Sequence, residues 1–478
     1  MASAPPEPVR TVPLAAGFAE PDRAAWLALV EKTLKGAPLE SLTRRTVEGL
    51  PIEPLYESDS GAAQIVRSQA GWDVRTTVRA AHPVAANAEA LADLAQGAGS
   101  LLLRLDPRGQ DGIAVGSADG MARVLDEVLL DAAPIALDAG FLGLKAADWL
   151  GAAAKGAPTA PLSFHLDPLT AFAEAGASPG PIEAHLIAAA TVAARLAETY
   201  PKASLFLASG RAAHEAGGGE ALELGLAAAC ALAYAKALLR AGLPMADAFN
   251  RIIIGLAIDT DAFLSIAKLR AARRIWARLA TACGADTEAR IEARSSGRML
   301  TRADPWTNMV RLTAAAFAGA VGGADVVVLG AFSDALGPPT AFARRQSRNI
   351  QLVLKEEANL GRVIDPAAGS GYLESLTGEL ARAGWASFQA IEAAGGMVMA
   401  LERGLIAGLA AESRAETAAR FSRRESKLVG VTDFVGDDLR PAEVAEPAVR
   451  GAAAPSPRLP GPDGHCPPLA PIRLEDLA

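Results

Sequence analysis

Several groups of residues in this 478-residue chain have types and spacings that chemistry can use. Ser209, His214 and Asp167 supply the three side-chain classes of a hydrolase triad. Ser209, however, stands in SLFLASGRAAH, without the GxSxG turn that lifts a nucleophilic serine above a sheet. His165 and Asp167 alternate in LSFHLD, but a metal site needs at least a third ligand, and no third ligand has a compatible spacing. The pair reads instead as a barrel-filling histidine and a helix cap. Gly217 to Gly219 have the composition of a phosphate-cradling loop, yet no GxGxxG or GxxxxGK[ST] frame surrounds them, so turn geometry is the simpler reason for them. Glu356 and Glu357 are adjacent carboxylates that point in different directions and make a poor acid/base pair. Cys230, Cys283 and Cys466 lie far apart with no CxxC or histidine-paired spacing, which argues against zinc and against a disulfide framework.

Such residues need elements to position them. Short β-type runs alternate with longer helix-compatible stretches, as when parallel strands are joined by crossover helices. Eight runs qualify as strands: residues 100–105, 112–116, 134–140, 162–167, 204–210, 289–297, 325–331 and 362–369. Eight β/α units over this length predict an α/β fold, a (β/α)8 TIM barrel, with an open doubly wound sheet as the alternative. The stretch 221–242 is apolar nearly all round and is expected to be buried between the barrel and another surface. Residues 1–60 read as an N-terminal arm, 61–435 as the barrel, and 436–478 as a Pro/Gly-rich linker that offers little to pack.

Composition sets outer limits. Half the residues are apolar, at 51%, enough for a large core, and a formal charge of -8 with a sequence pI near 5.4 excludes a nucleic-acid footprint. No uncharged run reaches the roughly 18 to 20 residues of a membrane span, so no membrane partner is expected. The start, MASAPPEPVRTVPLAAGF, has neither an export nor a transit pattern, which points to the cytoplasm.

Four segments carry a family resemblance: FLSIAKLRAARRIWAR (263–278), SSGRMLTRADPWTNMVR (295–311), GGADVVVLGAFSDALGPPTAFARRQSRNIQLVLKEE (322–357) and RVIDPAAGSGYLESLT (362–377). They resemble the barrel domain of the methylmalonyl-CoA mutase family of adenosylcobalamin-dependent enzymes. The basic cluster RRQSR (344–348) lies inside one of these segments and reads as scaffold. At the strand ends the resemblance places the family's chemistry on unsuitable residues. Its Tyr-His pair falls on Arg211 and Ala212, and a substrate-contacting Gln on His165. Its THSQTSG aligns with IEARSSG, turning a His into Glu292 and a Gln into Arg294, and SLHTN aligns with VVVLG, placing Val328 and Gly330 where the family has His and Asn. An early substrate-packing Tyr maps to Arg67 through the shorter match of PWTIRQ to GWDVRT (71–76). The aromatic-rich segment with a CoA-binding Arg has no counterpart in 168–203, and the Asp-x-His-x-x-Gly motif of a cobalamin-binding flavodoxin-like domain is not found.

The resemblance therefore implies a barrel with no catalytic, cofactor or metal residues of its own: the small, non-catalytic subunit of a heterodimeric mutase in propionate metabolism. Adenosylcobalamin would sit in a homologous catalytic partner, bound one to one, and this chain alone would be inactive. Two other functions fit the same segments: the substrate-binding chain of another adenosylcobalamin-dependent acyl-CoA mutase, and a free-standing acyl-CoA-binding or mutase-chaperone protein.

Overall fold

The structure, a computed structural model, describes residue 17 and residues 22–58, 67, 70–106, 111–436, 440–446 and 455–478. The chain divides into two units, Met1–Tyr56 and Glu57–Ala478. In the first, Asp22 caps helix Arg23–Leu34 by accepting from Ala25 N at 2.6 Å, and Lys35 ends the helix in the left-handed region at φ 49°. A small antiparallel pair follows, with Arg44 opposite Ile52 and Arg45 opposite Pro51.

The second unit is built on eight parallel strands: β1 Asp73–Val78, β2 Ser100–Arg104, β3 Ile135–Asp138, β4 Ser163–Leu166, β5 Ser204–Ser209, β6 Ile252–Ile258, β7 Ile291–Ser295 and β8 Val326–Val328. Each pairs with its successor, and β8 pairs with β1, so the sheet closes into a barrel. Every strand leads into a crossover helix: α1 Pro83–Ala95, α2 Ala118–Val124, α3 Gly143–Ala153, α4 Ile182–Thr199, α5 Glu220–Arg240, α6 Ala262–Ala282, α7 Thr307–Val321 and α8 Ala341–Leu352. Two further long helices, α9 Gly371–Ala393 and α10 Leu405–Ser422, follow the last unit, with the short helix Met397–Glu402 between them. Several helices start on a side-chain cap: Ser117, Asp261, Thr340 and Ser370 each accept from the backbone amide three residues on.

The strand count matches the expected fold, but two of its members differ. Residues 112–116 contribute a single bridge, Leu105 to Ile113, and residues 362–369 form a short 3-10 turn and loop. Pro366 cannot donate to a ladder, and the loop is fixed instead by Asp365, which pairs with the buried guanidinium of Arg270. The true members are β1 and β6. In β6 every residue of IIIGLAI is buried, because one face fills the barrel and the other meets the helices.

Helix α5 is enclosed by its own chain. Every residue from Glu220 to Leu232 is buried, and α9 crosses it so closely that a Cβ on Gly225 would meet Ser387 Cβ at 2.6 Å and Phe388 N at 2.8 Å. Gly384 makes the reciprocal approach, 2.8 Å from Leu224 Cβ. Although α5 is long and apolar enough to cross a membrane, it is a core helix of the barrel that exposes only its last turn or so, at Lys236, Leu239 and Arg240. The scaffold charges follow the same inward logic. Lys268 on α6 reaches Glu223 on α5 at 2.5 Å, and Arg274 reaches Glu374 on α9 at 2.8 Å. Arg348, from the RRQSR cluster, is buried on Asp93 at 2.7 Å.

Replacing Gly225 by Val should therefore lower unfolding stability by about 1–3 kcal/mol, the usual cost of overpacking against a backbone that cannot retreat. Urea unfolding followed by circular dichroism measures it.

Candidate functional site

A cavity of about 510 Å³ opens where the strands end at their C-terminal side. This is the end of a (β/α)8 barrel where loops normally carry the chemistry. Its floor is made inside the barrel. Leu102, Ala136 and Val328 form a small apolar cluster there, and beside it lies a charged network drawn from four strands. Glu292 on β7 accepts from Arg75 Nη1 on β1 and from Arg294 Nε, both at 2.6 Å. Arg294 Nη1 continues to Asp138 on β3 at 2.8 Å, and Arg75 Nε donates to Ser100 Oγ on β2 at 2.7 Å. Ser100 in turn donates to Asp73.

The partners set each group's charge. Burial alone would raise the carboxyl of Glu292, but Arg294, His165 and Arg75 hold it well below the carboxylate range. Asp138 is likewise pulled down, against its burial, by Arg294, Arg104 and Arg211. Arg294 rises above its ordinary value because Glu292 and Asp138 outweigh its desolvation. Glu292 and Asp138 are thus both paired with Arg294.

His165 enters this network from β4 through a backbone irregularity. Between Ser163 and Leu166 the strand spans one residue more than its neighbour does between Ser204 and Phe206, and His165 takes φ 45°. Its side chain is 1% exposed, with Nε2 3.9 Å from Glu292 Oε2. Burial lowers its pKa to about 4, Glu292 opposing and Arg75 and Arg294 reinforcing the shift, so the ring is neutral.

The remaining predicted positions divide. Arg211 stands on the cavity wall, its Nη2 3.6 Å from Glu215 and its backbone amide donating to Ser209 Oγ at 3.3 Å. Val328 lines the floor, and Gly330 follows it on the wall. Ala212 is buried behind the wall and does not line the cavity. Arg67 does not join them: its guanidinium donates to the carbonyls of Ala320, Ala324 and Val363, next to the residues that lead into β8, at the opposite end of the barrel. The match through GWDVRT thus places Arg75 inside the barrel but does not carry back to residue 67.

His214 is completely buried between Glu223 at 3.2 Å and Asp259 at 3.4 Å. Asp167 belongs to other partners, accepting from the Tyr234 hydroxyl and from Thr170 N at 3.1 Å, so Ser209, His214 and Asp167 form no relay. Among the described residues no three His, Cys, Asp or Glu side chains gather to hold a metal. Residues that the reading of the chain passed over complete the rim: Arg79 pairs with Asp334, and Arg104 with Asp111 at 3.0 Å. Arg104 and Asp138 close their strands, a position that could have marked them. Burial pushes the Asp167 carboxyl up to about 7, its bonds to Thr170 and Tyr234 only partly offsetting this. The far wall comes from the tail, through Pro471 and Arg473.

The family model described as methylmalonyl-CoA mutase matches residues 60–453. A protein of Streptomyces virginiae named methylmalonyl-CoA mutase small subunit is 39% identical over 94% of this chain and 75% of its own length. The small subunit from Propionibacterium freudenreichii subsp. shermanii is 34% identical over 93% of this chain and 74% of its own length. A probable small subunit from Mycobacterium bovis is 39% identical over 80% of this chain, which spans 63% of that relative's length.

Removing one member of the floor network leaves others charged, buried and unpaired. Glu292→Ala should cost about 3–5 kcal/mol of unfolding stability, with Glu292→Gln milder, both read from urea midpoints. Asp167 predicts a pH effect of definite sign. Its folded pKa lies above its unfolded value, so its contribution is complete at acid pH and is lost as pH rises through about 7. Asp167→Asn should therefore gain on the parent by about 2 kcal/mol between pH 5 and pH 8, measured as the difference of the two unfolding curves.

Proposed function

The chain belongs to the methylmalonyl-CoA mutase family, and we propose that within it this protein is the non-catalytic small subunit of a heterodimeric, cytoplasmic enzyme interconverting (R)-methylmalonyl-CoA and succinyl-CoA. One observation carries the reading. The positions that the resemblance assigns to substrate contact hold Glu292, Arg294 and His165, and these are packed with Arg75 and Asp138 into a network spanning the barrel interior. A thioester would have to displace the paired charges of Glu292 with Arg75 and Arg294, which are held inside the barrel, at a cost of several kcal/mol. Arg211 and Ala212, one on the wall and the other behind it, supply neither a phenol nor an imidazole.

The residues present do not fit adenosylcobalamin either. In the family the cofactor supplies a cobalt–carbon bond that breaks homolytically in a dry cavity. Here the rim of the mouth is lined by Arg79, Arg104, Asp111 and Asp334 and is crossed by the tail at Pro471 and Arg473. His165 and His214 are buried inside the protein, and His185 is turned toward Pro179. The cofactor is assigned to the partner. The homologous catalytic chain would pair with this one as duplicated barrels do in pseudo-twofold dimers. With most of α5 enclosed, the N-terminal helix Arg23–Leu34, none of whose residues is buried, is the element proposed to reach the partner.

Co-expression with a longer homologous chain carrying Tyr-His and Asp-x-His-x-x-Gly should give a 1:1 complex by light scattering, with an interface above about 2,000 Å². The isolated chain should show neither corrinoid absorbance nor isomerisation of methylmalonyl-CoA. Turnover by the isolated chain, or separate monomers on co-expression, would overturn the proposal.

A further inference from the structure

Residues 455–473 run as largely extended chain over the loops that follow β4, β5 and β7, a 3-10 turn follows at Leu474–Asp476, and the segment is held along its length. Leu459 N donates to Pro179 O at 2.9 Å, Cys466 N to Gly176 O at 2.9 Å, Leu469 N to Ala173 O at 2.8 Å, Ile472 N to Glu215 O at 2.8 Å and Leu474 N to Arg298 O at 2.8 Å. Gly464–His465 pairs antiparallel with Ala177–Ser178. The receiving loop is shaped for this contact: Gly180 lies at φ 104°, and a Cβ there would meet Leu459 O at 2.4 Å. A stretch whose prolines and glycines suggested a linker with little to pack is thus a fitted strap. Its path decides what it does, because Pro471 and Arg473 complete the wall of the cavity, Arg473 reaching the carbonyls of Gly297 and Leu300 at 3.2 Å.

The grip is uneven. Within residues 455–478 only Cys466 and Leu469 are buried. The far end is clamped by Arg302, which pairs with Glu475 at 2.7 Å and with Asp476, while Glu475 also accepts from Arg302 N at 2.9 Å. A segment held by few buried apolar groups, many edge hydrogen bonds and one charged clamp opens at a free energy well below that of global unfolding. We infer that residues 455–478 form a strap that narrows the cavity at the barrel mouth, and that release of its clamp on Arg302 widens the cavity while the barrel stays folded.

The strap carries its own reporter. Cys466 is 8% exposed and its thiol donates to Phe172 O at 3.4 Å. Burial, with Glu402 nearby, pushes its pKa up to about 11, so it is unreactive while the strap is seated. Iodoacetamide alkylation of the 478-residue chain, read by peptide mass spectrometry, distinguishes Cys466 from Cys230, which is 1% exposed in the core. Glu475→Ala/Asp476→Ala should raise Cys466 alkylation about ten-fold and Arg302→Ala should do so from the other side of the clamp, with Cys230 unlabelled throughout. A cysteine placed on the cavity wall by Thr77→Cys should gain reactivity by the same factor in both backgrounds. Labelling of Cys466 at the rate of Cys230 would mean the strap leaves only when the barrel unfolds. Equal labelling of Thr77→Cys with and without the clamp would mean that the strap does not gate the cavity. Either result overturns the inference.

Discussion

The carboxylate of Glu292, enclosed by Arg75, Arg294 and His165, is the constraint on which this barrel turns. A barrel of eight strands has an interior just wide enough to be filled by inward side chains from alternate strands. Here some of those side chains are ionised, so each must find a counter-charge at the right height on another strand or pay several kcal/mol of desolvation. Glu292 meets that condition with two arginines at 2.6 Å, and Arg294 extends it to Asp138. The network therefore sets β1, β3 and β7 relative to one another and fills volume inside the barrel.

Similar pairing holds the outer layer. Helix α6 carries Lys268, Arg270 and Arg273 into the interior, where they meet Glu223, then Asp365 and Glu374, then Asp325. Burial would raise the carboxyl of Glu223, yet Lys268 and His214 bring it down to about 2, so the charge on α5 persists inside the fold. These contacts lock α5, α6 and α9 to the loop at Asp365. They explain why motifs rich in basic residues mark scaffold here rather than an anion-binding surface.

Scaffold and strand ends are built differently in this chain. The helices, caps and glycine-mediated approach of α5 to α9 preserve the barrel, while the strand ends have been given over to pairs such as Arg79 with Asp334 and Arg104 with Asp111. The mouth is rimmed by matched charges and bordered by a strap that hydrogen-bonds to three of its loops.

Much of this was legible in the chain itself. Alternating runs implied a (β/α)8 barrel, the segments from 263 to 377 marked the family, and the sequence RAAHEAGGGE showed that no Tyr-His pair stands after β5. Local pattern failed where the decisive partner is far away. β1 was missed because its inward residues, Asp73 and Arg75, are charged, and only Glu292, 217 positions distant, makes Arg75 a core residue. β6 was missed because an unbroken apolar run fits a buried helix as well as a buried strand. Residues 362–369 looked like a strand until the closed barrel left no edge for them, and the tail looked like a linker until the loops at Gly176 and Gly180 received it. Composition and period determine which residues want burial. Which strand closes the ring, which charge answers which, and what covers the mouth depend on contacts made across hundreds of positions, and only the tertiary structure decides them.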